Sequence, residues 1–175
     1  MEFVADREAA LRLVELYYGG PPKYAKAVLE RWPSAGAVVV YIGSEAAGAE
    51  VFYAVRLAEA ACVHYYVVVA PKFRRRGVAT SLVRYVEGRC GTPINLATST
   101  AENAAAAKLF RKLGYSAYFW GEMPTGIREV LLKATCGYDD DVLYVKGGRP
   151  ADVALPTAEV EALWRETCLK PYLGK

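Results

Sequence analysis

The hydrophobic positions change period several times along the chain, and each change marks an element. Ala10, Leu13, Val14 and Tyr17 recur at helical spacing, so a helix is expected from an Asp6 cap to about Tyr18. Gly19-Gly20-Pro21-Pro22 breaks it, and a second helix is expected over roughly Pro22 to Arg31. The pattern then shortens to alternation or to continuous apolar runs, which predicts strands at Ala37–Ile42, Ala49–Leu57 and Ala61–Val69. Gly43–Gly48 and a short turn near Glu59 separate these strands. A basic turn follows Val69 and leads into an amphipathic helix that runs to Gly88, and a strand is expected at Ile94–Thr98. Ser99 and Glu102 have the spacing of a capping box, ahead of Ala106, Leu109, Phe110 and Leu113 at i, i+3, i+4 and i+7. Gly114 closes that helix, and Tyr115–Trp120 reads as a strand. Pro124 and Gly137 bracket a further helix with Ile127, Val130, Leu131 and Ala134 on one face. A strand at Val142–Val145 precedes an appendage, residues 147–175, with a Gly-Gly-Arg-Pro linker and a helix from about Thr157 to Leu169. Few crossover helices separate the early strands, so the expected class is α/β with a mixed, mostly antiparallel central sheet flanked by helices and a helical C-terminal extension.

Composition narrows this picture. A chain of 175 residues with 54% apolar content has material for one domain with a sizeable core. No apolar run reaches membrane-spanning length, and Met-Glu-Phe-Val-Ala-Asp lacks the basic and apolar regions of a signal peptide. A cytoplasmic protein without a membrane partner is expected. A net charge of +3 is too mild to call for nucleic acid. Cys62, Cys90, Cys136 and Cys168 show no metal-ligand spacing, so no metal is expected and buried small hydrophobes are the simplest reading of all four. Gln is absent and Asn occurs only at positions 95 and 103, a scarcity of thermolabile side chains that suggests a thermophile and leaves intracellular disulfides open.

The chemistry concentrates at Val-Ala-Pro-Lys-Phe-Arg-Arg-Arg-Gly-Val-Ala-Thr-Ser-Leu, residues 69–82. Its order is strand, basic turn, helix. Backbone N–H groups at a helix start lack partners and sit at the positive end of the helix dipole. Gly77 lets the main chain approach a ligand closely and Ala79 adds only a methyl group, so a pyrophosphate fits such a nest. Arg74, Gly77 and Ala79 fill the pattern [RQ]-x-x-G-x-[GA], with Val69 and Pro71 before it and Leu82-Val83 after it. This segment resembles the acyl-CoA signature of the GNAT acyltransferase superfamily. Downstream, Asn103-x-x-Ala106-Ala107-x-Leu109-Phe110-x-Lys112-Leu113-Gly114-Tyr115 is similar to the same family's second cofactor segment.

The resemblance implies a GNAT domain over residues 1–147 with the extension at 148–175. It implies acetyl-CoA as acyl donor, held by Val67, Val68, Val69, Arg74, Arg75, Arg76, Gly77, Val78, Ala79, Thr80, Asn103 and Phe110, with Asn103 on the pantetheine arm. It implies a primary amine as acceptor, on a small molecule, a peptide N-terminus or a lysine. A strand N–H within Val67–Val69 would serve the oxyanion. A homodimer is compatible with it. The side-chain roles are less well filled. Phe110 stands where many members place an acidic Tyr, and Val63 and Thr98 stand where members often carry a base; none of the three transfers a proton. The rival reading is therefore an acyl-CoA-binding sensor without turnover.

Strand alternation puts His64 and Tyr66 opposite Val63 and Tyr65, and the resemblance places the acceptor on the Val63/Tyr65 side. Tyr65 is thus the candidate to hydrogen-bond an acceptor or a water, and His64 reads as a core residue. Glu50, in an otherwise apolar strand, is a candidate carboxylate base, with an edge or solvated position the simpler reading. Lys108, Arg111 and Lys112 read as a solvated helix face. Tyr17, Tyr18 and Tyr24 flank the Gly-Pro turn where the resemblance locates acceptor binding, with core packing the simpler account of Tyr17. Residues 124–137 are expected to cover the acceptor site, packed on the first two helices.

Overall fold

A computed structural model describes residues 1–19 and 22–175. Gly20 and Pro21 of the expected helix break lie outside the described residues. The seven strands of its sheet are ordered β1-β2-β3-β4-β5-β7-β6, mostly antiparallel, in a mixed α/β arrangement. The chain forms two compact units, Met1–Tyr53 with His64–Gly91, and Ala54–Val63 with Thr92–Lys175.

The first unit begins with β1 (Glu2–Ala5), which pairs antiparallel with β2 (Gly36–Ile42). Four residues are too few to show a period, so the sequence pattern gave no sign of β1. Asp6 then caps α1 (Arg7–Tyr18) by accepting from the Ala9 N–H at 2.9 Å. Its buried face is Ala9, Ala10, Leu13 and Val14. Tyr17 is 37% exposed and Tyr18 61%, so Tyr17 is not a core residue. α2 (Lys23–Arg31) buries Ala25, Ala27, Val28 and Leu29. β3 (Glu45–Arg56) pairs with β2 across a turn closed by Gly43 at φ +64°, four residues tighter than the sequence suggested. β4 (Ala60–Val69) gives its residues from His64 onward to this unit, and α3 (Val78–Cys90) buries Val78, Leu82, Val83 and Val86. α3 approaches β3 closely at Gly48. A Cβ there would lie 2.7 Å from the Val68 carbonyl oxygen and 3.2 Å from Leu82 Cδ1, so only glycine fits.

In the second unit the start of β4 pairs parallel with β5 (Ile94–Ser99) through Ala61–Val63. β5 pairs antiparallel with β7 (Val142–Lys146), which pairs with β6 (Ser116–Phe119). Ser99 ends β5, and the cap of α4 (Ala104–Lys112) is Asn103, whose side chain accepts from the Ala106 N–H at 3.0 Å. The expected Ser99 capping box is therefore wrong by four positions. The strand pairing claims Ser99 first, and its hydroxyl meets Tyr144 Oη at 3.0 Å.

α5 (Thr125–Thr135) packs on α6 (Pro150–Val153), on α7 (Ala158–Trp164) and on β5. Its apolar face thus goes to the C-terminal extension, where the sequence reading had looked to the first two helices. Lys133 pairs with Glu161 at 2.5 Å and lies over the Trp164 ring, and Cys136 forms a disulfide with Cys168. The expected single C-terminal helix is a helical run in pieces, α7, a π-helical stretch Arg165–Leu169, and α8 (Lys170–Tyr172). No cysteine is free, which corrects the reading of all four as simple buried hydrophobes. No helix among the described residues is long and apolar enough to cross a membrane.

Candidate functional site

The basic turn of the first unit joins the end of β4 to the start of α3. β4 ends at Val69, and Pro71–Phe73 form a single 3-10 turn with Phe73 buried beneath it. Arg74 Nε donates back to the Val69 carbonyl at 3.2 Å, which folds the chain over the strand end. Arg75 and Gly77 both take left-handed conformations, φ +63° and +75°. Gly77 caps α3 without any side-chain hydrogen bond, and the first helical bond runs from the Ser81 N–H to the Gly77 carbonyl at 3.0 Å. The N–H groups of Val78, Ala79 and Thr80 therefore precede the ladder and have no intrahelical acceptor. A Cβ on Gly77 would meet nothing within 4 Å beyond its chain neighbours, so the cap position itself is open. Arg74, Arg75 and Arg76 are exposed around it. Lys72 is engaged by Glu45 at 2.7 Å, which leaves the arginines as the cations of the turn. Open donors, a helix dipole and three guanidinium groups fit a pyrophosphate.

β4 brings Val67, Val68 and Val69 next to this turn, with Val68 buried and the other two half-buried. Its neighbours form a chain of rings. Tyr18 meets Tyr66 edge-on at 4.8 Å, Tyr66 meets Tyr65 at 4.7 Å, and Tyr65 meets Tyr53 at 5.4 Å. Burial first, then the neighbouring tyrosines, hold the Tyr65 hydroxyl well above the ordinary phenol range, so it stays a neutral donor and acceptor. His64 is buried, and its Nδ1 hydrogen-bonds Glu50 Oε1. Glu50 is fully buried, not solvated. Strand alternation alone does not separate a buried polar residue from an exposed one. Burial pushes the Glu50 pKa up, His64 offsets part of that, and Oε2 has no hydrogen-bond partner among the described residues.

Asn103 and Phe110 belong to the second unit. The Asn103 side chain is used as the α4 cap. Phe110 is 4% exposed, between Tyr115 and Tyr144, each with its ring centroid 5.1 Å away. Ala104, Ala107, Lys108, Arg111 and Lys112 line an open cleft of about 510 Å³ on the other side of α4. At the end of β5, Thr98 Oγ1 donates to Asp140 Oδ2 at 2.5 Å.

The sequence profile described as Acetyltransferase (GNAT) family matches residues 8–115, more than half of the chain. The chain belongs to the GNAT acetyltransferase family. Membership implies acyl-CoA-dependent N-acyltransferase chemistry. No curated protein sequence matches the chain. Solved structures share its fold at low identity. The ribosomal-protein-S18-alanine N-acetyltransferase from Escherichia coli is 15% identical, with a TM-score of 0.59 over 90% of this chain and 96% of that one. The IAA acetyltransferase from Bacillus cereus ATCC 14579 is 15% identical, with a TM-score of 0.56 over 82% and 97%. AAC(6')-Iy in complex with a bisubstrate analog, CoA-S-monomethyl-acetylneamine, is 19% identical, with a TM-score of 0.56 over 66% and 90%. The GNAT match spans both the turn at Arg74–Thr80 and the segment from Asn103 to Tyr115.

Proposed function

We propose that this GNAT protein transfers an acetyl group from acetyl-CoA to a primary amine. The observation that carries the reading is the uncapped start of α3, where Gly77 at φ +75° precedes three backbone donors without intrahelical acceptors, next to three exposed arginines. In this reading Val78, Ala79 and Thr80 donate to the pyrophosphate and Arg74–Arg76 neutralise it. A backbone N–H within Val67–Val69 stabilises the oxyanion that develops on the thioester carbonyl. Tyr65 orders the acceptor or a water through a hydroxyl that burial keeps neutral. Asn103 and Phe110 are carried over to the cofactor from the family's second segment. The acyl donor supplies an activated carbonyl; the protein supplies binding and orientation.

A sensor that binds acyl-CoA without turnover is favoured by one observation, the buried Phe110 ring in place of a proton donor. A thiol-release assay separates the two. Acetyl-CoA is incubated with short peptides bearing free N-termini, lysine peptides, spermidine and phenethylamine. Release of CoA that depends on one of these amines supports the enzyme. Saturable acetyl-CoA binding with no release above the amine-free blank supports the sensor.

A further inference from the structure

The tyrosines of the first unit form a ladder that runs from solvent into the core. Tyr18, Tyr66, Tyr65 and Tyr53 follow one another with ring centroids 4.8, 4.7 and 5.4 Å apart, each contact edge-on. Exposure falls along the row, from 61% at Tyr18, through half-buried Tyr66 and Tyr65, to 1% at Tyr53. Neighbours on a regular strand point to opposite faces, so the contact of Tyr65 with Tyr66 means that β4 leaves the regular pleat there. We propose that this ladder selects the acceptor, and that the acceptor is an arylalkylamine, a single amine on a short chain ending in an aromatic ring. The proposal rests on the amine-acetylating reading above.

Three observations support the assignment. The first is position. Tyr65 and Tyr66 stand on β4 directly before Val67–Val69, the backbone read above as the oxyanion donor, and all of these belong to the first unit with the turn at Arg74–Thr80. An acceptor on the ladder lies along the strand that serves the thioester. The second is uncovered ring surface. Tyr18 is exposed and Tyr66 half-buried, and an aromatic guest adds one more edge-on or offset contact to such a row. The third is charge. Besides burial, the groups acting on the Tyr65 hydroxyl are Tyr66, Tyr53, Tyr24 and Tyr18, and no carboxylate among the described residues joins them. The Lys23 ammonium lies over the Tyr24 ring at 5.0 Å, so a positive charge borders the cluster.

These surroundings separate classes of amine. A polyamine or a lysine peptide brings further charged groups, which neutral rings desolvate without pairing and Lys23 repels. An arylalkylamine brings one ammonium and a ring that gains from burial. The same surroundings release its proton. Rings that replace water without supplying an anion lower the pKa of an amine, so the acceptor gives its proton to bulk water as it enters. The neutral nitrogen then forms the N–C bond to the thioester carbonyl carbon. The C–S bond breaks with its electron pair going to sulfur, and one nitrogen proton ends on the thiolate. The products are the amide and CoA thiol.

The test uses the 175-residue protein, acetyl-CoA, and the amine panel named above with ethylamine added. The wild-type kcat/KM for phenethylamine should exceed that for ethylamine or spermidine at least about tenfold, a difference that one buried ring supports. Tyr18→Ala should raise KM for phenethylamine about three- to tenfold, move that for ethylamine less, and leave acetyl-CoA affinity by calorimetry unchanged. Tyr18→Phe keeps the ring and should restore most of what Tyr18→Ala loses. Ethylamine, spermidine or a peptide used as well as phenethylamine would overturn the proposal while the acetyltransferase reading stands. So would Tyr18→Ala with an unmoved KM for phenethylamine. Failure of the wild type to release CoA with any panel amine would overturn both. Should Tyr18→Ala not fold, the wild-type ratio of phenethylamine to ethylamine decides.

Discussion

Two carboxylates in this protein hold their protons more tightly than ordinary ones, in opposite settings. Glu50 of the first unit is fully enclosed against His64, with neither side chain exposed. Asp140 of the second unit is half-buried, fixed by Thr98 and open at Oδ1. Burial is the main cause of the raised pKa in both. Access is what differs. An enclosed carboxylate meets no ligand, so its perturbation bears on stability. A carboxylate with one open oxygen stays in contact with solvent. A shifted pKa alone does not mark a functional residue.

The comparison breaks most visibly at the enclosed pair. His64→Ala leaves Glu50 buried without its partner and should cost about 3–5 kcal/mol in urea denaturation. The turnover of the protein that remains folded should be near wild type. Loss of turnover at unchanged stability would give His64 a part in the reaction. Next in size is the staple beneath the open carboxylate. Cys168→Ser removes a cross-link spanning 32 residues and should cost about 3–4 kcal/mol by loop entropy, read from denaturation under non-reducing conditions.

The smallest effect sharpens the electrostatic side. Glu50 has a folded-state pKa raised above 4.5, so the stability tied to its proton is complete below pH 4.5 and is lost as pH rises through the raised value. Glu50→Gln cannot ionise and should flatten this part of the stability profile. Equal slopes in wild type and variant would show that Glu50 is ionised throughout.

Much of the first unit was legible in the sequence because its signals are local. Apolar alternation placed β2, β3 and β4 within a few residues, and the Arg-x-x-Gly-x-Ala spacing located the uncapped helix start. What stayed illegible depends on distant residues. Thr98 and Asp140 are 42 positions apart, and no local signal joins them. Glu50 occupies an alternation slot where sequence cannot tell an internal partner from solvent. The choice of Ser99 as a cap failed because β7 pairing extends β5 through that residue. The apolar face of α5 was read correctly as a face, but its partner, α7, lies beyond a linker that carries no information on docking. Phe110 was legible as a departure from the family pattern; its place between Tyr115 and Tyr144 was not.

The central claim is that the open start of α3 binds the pyrophosphate of acetyl-CoA. Calorimetry of acetyl-CoA on the wild type and on Gly77→Val tests it most directly. A valine at φ +75° introduces local strain of about 1–3 kcal/mol and puts a branched side chain at the cap of α3. Saturable wild-type binding, weakened at least about tenfold in a variant whose circular dichroism shows it folded, is the predicted result; tenfold corresponds to about 1.4 kcal/mol. Equal affinity in the two proteins, or no binding by the wild type, would contradict it.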